Sequence, residues 1–260
     1  MLEERTTQTH HLNNENLLAA AVSDASSSIA DIGATWMLHP EQFEASIAAG
    51  YPHPFAGYFA GRAGVLGEVD THIVDAAIVI FAPDVVDAMW TSGRPVHGAR
   101  GGAEIYTIQA AEWARKRFDG LEGLPRFVEL GEKVLAVAPA ANLPLFAGWR
   151  ALPRVADSPG RAMQVLLILR ELRCGIHLAA LTAAGITPVE ANMLNKGEEY
   201  CALLGWTAPL PAVEHLRSRR AEVEQTTNDR VSRIFASALT LAEIEELAQI
   251  TTAMNTRSSL

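Results

Sequence analysis

The chain reads as a mostly α protein, and three observations say so. Apolar residues recur at the helical spacing nearly everywhere along it. Helix-start signatures stand where that spacing needs them. Thr187, Pro188 and Glu190 supply a cap, a first-turn proline and a capping-box acid, and Thr240 and Glu243 repeat the capping-box spacing. No segment is a convincing strand: "AAIVIFA" has the composition of one, but its flanks read as helix.

Taken in order, residues 1–15 are polar and read as a flexible tail. Over 16–38, Leu17, Leu18, Ala21, Ile29, Ile32 and Trp36 follow a helical period. Pro40 suits the first position of a second helix, closed by Gly50. "YPHPFAGYFAGRAGVLGEVD" mixes glycine, proline and aromatics, so helical parts are bounded by turns. Asp70 or Thr71 can cap "HIVDAAIVIFA", and Pro83 opens "PDVVDAMW". "SGRPVHGARGG" reads as a loop before the strongly periodic "AEIYTIQAAEWARKRF". Two further helices are expected in 124–138 and 143–151. The composition break "LPRVADSPGR" sets a domain boundary near 155, dividing a helical domain 16–155 from a second, 156–260. The second half then holds helices at 161–184, from Thr187, near 211–236 and from Thr240.

The bulk numbers bound the function. A chain of 260 residues builds one large domain or two modest ones without covalent staples. Cys174 and Cys201 both lie in apolar helical stretches, as small core residues of a cytoplasmic protein do. There is no C-x-x-C pair, no Cys/His cluster at zinc spacing and no H-E-x-x-H, so neither a metal nor a cofactor is expected. A net charge of −9 argues against broad binding to a phosphate backbone. No apolar run is long enough to span a bilayer, and the N-terminus lacks a secretory pattern; no membrane partner is expected.

The stretch "LLILRELRCGIHLAALTAAG", residues 166–185, carries the main candidate site. On a helix Arg170, Arg173 and His177 share a face, with Cys174 at its border and Glu171 about a quarter turn away. Met163, Leu166, Leu181 and Ala184 continue that face in apolar residues, so the polar patch is an island. Three explanations stay open: structural ion pairs with acids of another helix, a pocket for a polar or anionic ligand, or a surface strip. As a catalytic reading, His177 would be the acid or base and Glu171 its orienter. In "YFAGRAGVLG", Tyr58 and Arg62 sit among glycines that allow close helix packing or pocket lining. The remaining histidines do not converge: His39 and His53 flank prolines and His97 lies in the loop. The segment 215–235 holds Arg217, Arg219 and Arg220, interleaved with Glu222, Glu224 and Asp229, and reads as a solvated helix laced with ion pairs.

These residues carry a resemblance. "YFAGRAGVLG" is similar to a motif of an actinobacterial family of helical proteins, largely uncharacterised, described as helix-turn-helix or winged-helix-like. "LRELRCGIHLAAL" keeps Leu169, Arg170, Glu171, Arg173 and His177 of that family's second motif. It has Leu172 where the family has histidine, and Cys174, Gly175 and Ile176 in place of Gly-Asp-Gly. Gly205 and Trp206 match a later Gly-Trp pair. The resemblance implies an N-terminal helical domain packed on a degenerate winged-helix-like helical domain, without an evident wing after Arg220. It implies a ligand-sensing regulator with weakened or lost DNA binding. In that reading Tyr58, Arg62, Arg170, Arg173 and His177 face a small polar or anionic molecule between the halves, Glu171 of the same site fixes an arginine, and a homodimer is an option. Two other functions remain in view: a cofactor-free enzyme of specialised metabolism using His177, and a MarR-like transcriptional regulator reading DNA through the helix after Thr187.

Overall fold

A computed structural model gives the backbone of residues 2–259 and the side chains of Asn14 and of residues 16–259. The described residues form eleven α-helices and no strand, as the apolar spacing predicts. Of residues 1–15, read as a tail, the backbone from Leu2 onward belongs to the first helix, Leu2–Met37, and Asn14 alone has a described side chain.

Local chemistry sets the helix starts. The first helix, α1 (Leu2–Met37), gives way to a residue held extended before proline, as the proline ring requires. That residue is His39, whose Nδ1 accepts from the Glu41 backbone N–H at 3.2 Å and so caps α2 (Pro40–Ala48). His53 repeats the device for α3 (Pro54–Ala63), accepting from Phe55 N–H at 3.1 Å. The two His-Pro pairs are therefore helix caps.

The fourth helix, α4 (Thr71–Ile78), is shorter than the apolar run predicts. Val79 turns left-handed (φ 42°), and the next carbonyl, Ile80 O, accepts from Asn192 Nδ2 at 2.7 Å and Trp206 Nε1 at 3.0 Å. Tertiary hydrogen bonds take over from helix there.

The expected loop "SGRPVHGARGG" is instead the middle of α5 (Pro83–Phe118). Its Pro95 and Gly98 make a kink rather than a loop. Gly98 sits at φ 70°, ψ 164°, and Glu68 Oε1 accepts from Ala99 N–H at 2.6 Å, restarting the helix. His97, expected in a loop, lies in this kink with Nε2 2.7 Å from Ala49 O. Glycines there also let α3 and α5 cross with their backbones nearly touching: a Cβ on Gly93 would strike Ala56 O, and one on Gly64 would strike Ala99 O. Gly61 and Gly64 of "YFAGRAGVLG" thus serve helix packing, while Gly67, at φ 85°, turns the chain.

Next come α6 (Leu124–Val137), α7 (Pro144–Arg150) and α8 (Ser158–Ala183). The chain ends with α9 (Pro188–Leu203), α10 (Arg217–Ala236) and α11 (Leu241–Ser258). Both predicted capping boxes form, at Thr187 with Glu190 and at Thr240 with Glu243. Every residue from 162 to 169 is buried, so α8 is apolar all round in its first half and runs through the centre. It touches α1, α5, α6, α7 and α10. The boundary expected near residue 155 falls in the connection between α7 and α8, and the main core draws side chains from both sides of it.

The last turns of α8, Gly185 (φ 66°) and α9 form a helix–turn–helix. A satellite cluster of Leu181, Ile186 and Val223, with Ala191 and Leu194 against it, ties this unit to α10. Among the described residues the connection from α9 to α10 contains no strand, hence no wing.

Candidate functional site

The polar island of α8 splits three ways. Glu171 turns inward and meets Arg62 of α3 in a bidentate pair, Nε to Oε1 at 2.8 Å and Nη2 to Oε2 at 2.9 Å. The two side chains are 1% and 2% exposed. Arg62 Nη1 donates to the Tyr58 hydroxyl at 2.7 Å, and Nη2 lies 3.7 Å from Cys174 Sγ. Burial works to raise the Glu171 carboxyl. The charge and hydrogen bonds of Arg62, aided by Arg170, outweigh it and hold the carboxyl below its usual range. Tyr106 abuts this group with a buried hydroxyl that has no partner among the described residues.

Arg170 takes a second direction. Its Nη1 reaches Glu171 Oε1 at 3.3 Å, and its aliphatic stem passes over Gly33 of α1, where a Cβ would collide with it. The side chain borders a crevice of about 70 Å³ between α1, α3 and α9. Tyr58 and Tyr200 line the same crevice, and Phe55, Phe81 and Leu204 supply apolar wall.

Arg173 and His177 take a third, toward α10. Arg173 Nη2 donates to Glu224 Oε2 at 3.1 Å and to Asn228 Oδ1 at 3.2 Å. His177 Nδ1 lies 3.1 Å from Thr227 Oγ1, and Arg220 pairs with the same Glu224. Burial lowers the His177 imidazole from 6.5 to about 4; Glu224 opposes this, while Arg220 and Arg173 reinforce it. His177 is thus a neutral group in a helix–helix seam, turned from the crevice and from Glu171. The geometry of an acid–base pair between them is not present. The six candidate residues therefore divide: Tyr58, Arg62, Arg170 and Glu171 are one connected group, and Arg173 with His177 another.

A second cavity, of about 200 Å³, lies between α4, α7 and α8. Ala76, Leu143, Phe146 and Leu178 give it an apolar lining, with Glu171, Cys174 and Thr182 at its polar edge. The Arg62–Glu171 pair stands between this cavity and the crevice. Among the described residues no group of three His, Cys, Asp or Glu side chains is arranged to hold a metal. No helix there is long and apolar enough to cross a membrane.

Across the helix–turn–helix, basic charge is scarce. The second helix, α9, carries one basic residue, Lys196, against Glu190, Glu198 and Glu199. Lys196 Nζ sits 5.0 Å over the Tyr200 ring. On and before α10, Arg217 pairs with Glu214 and Arg220 with Glu224, and Gln225 donates to Asp229, in keeping with the ion-paired helix that its mixed sequence predicts. Gly197 breaks α9 in two, at φ 75°, ψ −164°.

Sequence reasoning missed Tyr200, read only as part of a helix, and the partners on α10. The latter had a signal: Glu224, Thr227 and Asn228 stand at i, i+3 and i+4, one polar strip facing the Arg173–His177 strip.

A family model described as a helix-turn-helix family matches residues 22–259 of the chain. No curated protein and no solved structure matches it.

Proposed function

The chain belongs to the helix-turn-helix family, and from that premise we propose that it is a regulator-type protein whose weak DNA contact is set by a small molecule in the crevice between α1, α3, α8 and α9. One observation carries this reading. The second helix of the helix–turn–helix is also a wall of the crevice, through Tyr200 and Leu203. Gly197 stands between the two roles: residues 188–196 form the part offered to a DNA groove, and Tyr200, Leu203 and Leu204 after the break line the crevice. A ligand that moves Tyr200 and Leu203 acts on the groove-facing part through one glycine. The differential contact that couples a ligand to a conformational state is then a contact with α9 itself.

Weakness of the DNA contact follows from charge. Nucleic-acid affinity rests largely on lysines and arginines that neutralise phosphates. The lone Lys196 among three glutamates on α9, and the net −9 of the chain, supply little of this. Among the described residues there is no strand-built wing of the MarR-like kind, and the reading therefore gives the groove to α9.

The test is selection from a random duplex pool at low salt, followed by anisotropy titration of the selected duplexes. The reading expects binding that steepens as salt falls, and that Lys196→Glu weakens uniformly across sequences. Failure to retain any duplex from the pool at low salt removes the regulator reading.

A further inference from the structure

We propose that the crevice beside Arg170 binds the carboxylate of a small amphipathic monocarboxylic acid, head inward and apolar tail at the rim. The inference rests on reading this crevice as the ligand site, and it adds the ligand's chemical class.

The polar groups around the crevice are donors. Arg170 has one hydrogen-bond partner among the described residues, the 3.3 Å contact to Glu171, and its side chain borders the opening. The Tyr58 hydroxyl accepts from Arg62, which leaves its own proton to donate elsewhere. Tyr200 has no hydrogen-bond partner among the described residues, and burial raises its hydroxyl so that it keeps its proton. The carbonyl of Ile80, a residue of the lining, is already engaged by Asn192 and Trp206. A guanidinium that can only donate, flanked by two hydroxyls that can donate, is matched by an acceptor-only head group. A carboxylate is such a group and suits the planar guanidinium.

Charge gives the same answer. Arg62 takes both oxygens of Glu171, and Arg170 shares one of them. Two guanidinium groups on one carboxylate leave a single positive charge in surplus, with the Arg170 side chain only 20% exposed. A partly buried charge without a full partner is costly, and one negative charge corrects it.

Shape sets the tail. The crevice, about 70 Å³, holds a head group and a few carbons. At its rim lie Leu38 and Leu203, 46% and 56% exposed, two of the large apolar side chains the protein leaves in water. A short alkyl chain leaving the crevice covers both.

Octanoate is the probe, with octanamide, its uncharged counterpart, as control, each titrated calorimetrically into the full chain. The expected result is saturable 1:1 binding of octanoate, with octanamide at least tenfold weaker. Arg170→Met should weaken octanoate at least tenfold, while Arg170→Lys keeps part of the affinity and Tyr200→Phe loses a few-fold. Equal binding of octanoate and octanamide overturns the proposal, as does the absence of octanoate binding in the millimolar range. The comparison of the two probes needs no variant, so a misfolded Arg170→Met leaves it decisive. Octanoate binding with unchanged DNA affinity would keep this inference and sink the regulator reading; a DNA response to extract of the producing cell without octanoate binding would do the reverse.

Discussion

Arg62 and Glu171, 109 residues apart in the chain, meet in a bidentate ion pair from which water is almost wholly excluded. The pair fixes α3 against α8 and separates the crevice from the second cavity. Removing Arg62 takes both strong hydrogen bonds from Glu171 and leaves its charge buried with only the 3.3 Å contact to Arg170. Arg62→Met should therefore cost about 3–5 kcal/mol. Adding Glu171→Leu should restore part of that loss, since both desolvated charges are then gone. Urea unfolding of the single and double variants reads the difference; a double variant no more stable than Arg62→Met would show that the pair itself is not the source of the cost.

His177 gives the protein an acid-sensitive seam. Its folded pKa lies near 4, against an ordinary 6.5, because burial disfavours the imidazolium. The unfolded chain therefore takes up a proton at higher pH than the folded one. Stability from this site is complete above about pH 6.5 and is lost as the pH falls toward about 4. Thermal melts across that window should show the decline, and His177→Gln should flatten it. An unchanged pH profile in the variant would assign the acid sensitivity elsewhere.

Arg173 tests the opposite expectation. Its partner Glu224 also has Arg220, so removing Arg173 orphans no carboxylate. Arg173→Met should change stability by no more than about 1 kcal/mol, the range of partly solvated pairs. It should also leave octanoate binding untouched, because Arg173 faces α10. A loss of several kcal/mol on unfolding, or a loss of ligand affinity, would contradict the division of the polar island.

Gly197 is the break on which the regulator reading depends. At φ 75°, ψ −164° its backbone lies in a region that is nearly glycine-only. Gly197→Ala should destabilise that break by about 1–3 kcal/mol. Hydrogen exchange should then report faster opening confined to α9, and duplex affinity should change while octanoate affinity changes less. Uniform exchange behaviour along α9 in both proteins would argue that the break carries no signal.

How much of this was legible beforehand differs by element. The capping boxes at Thr187 and Thr240 depend on residues three apart, and local chemistry decided them. The core of α8 was equally plain, since an apolar run without a polar face has to be buried. The kinked α5 was not, because Pro95 and Gly98 carry the same local signal in a kink as in a loop. Only the packing of Gly93 against Ala56 O, in another helix, separates the two cases. The site was half legible. Arg62, Arg170 and Glu171 stood out by charge in apolar surroundings, but which of them would face an opening depended on where α3, α9 and α10 come to lie. Tyr200 had no signature at all, for a tyrosine in an amphipathic helix lines a crevice or a core with the same spacing.

A last consequence concerns chain length. From Glu171 to the turn at Gly185, α8 is one unbroken rod. Each residue added to or removed from a helix rotates everything beyond it by about 100°. A single-residue insertion between Glu171 and Leu181 would swing the attached two-helix unit off α10 while the ionic lock behind it stayed in place. Length variation in descendants of this chain should be purged from that rod and collect in the strandless connection at 204–216.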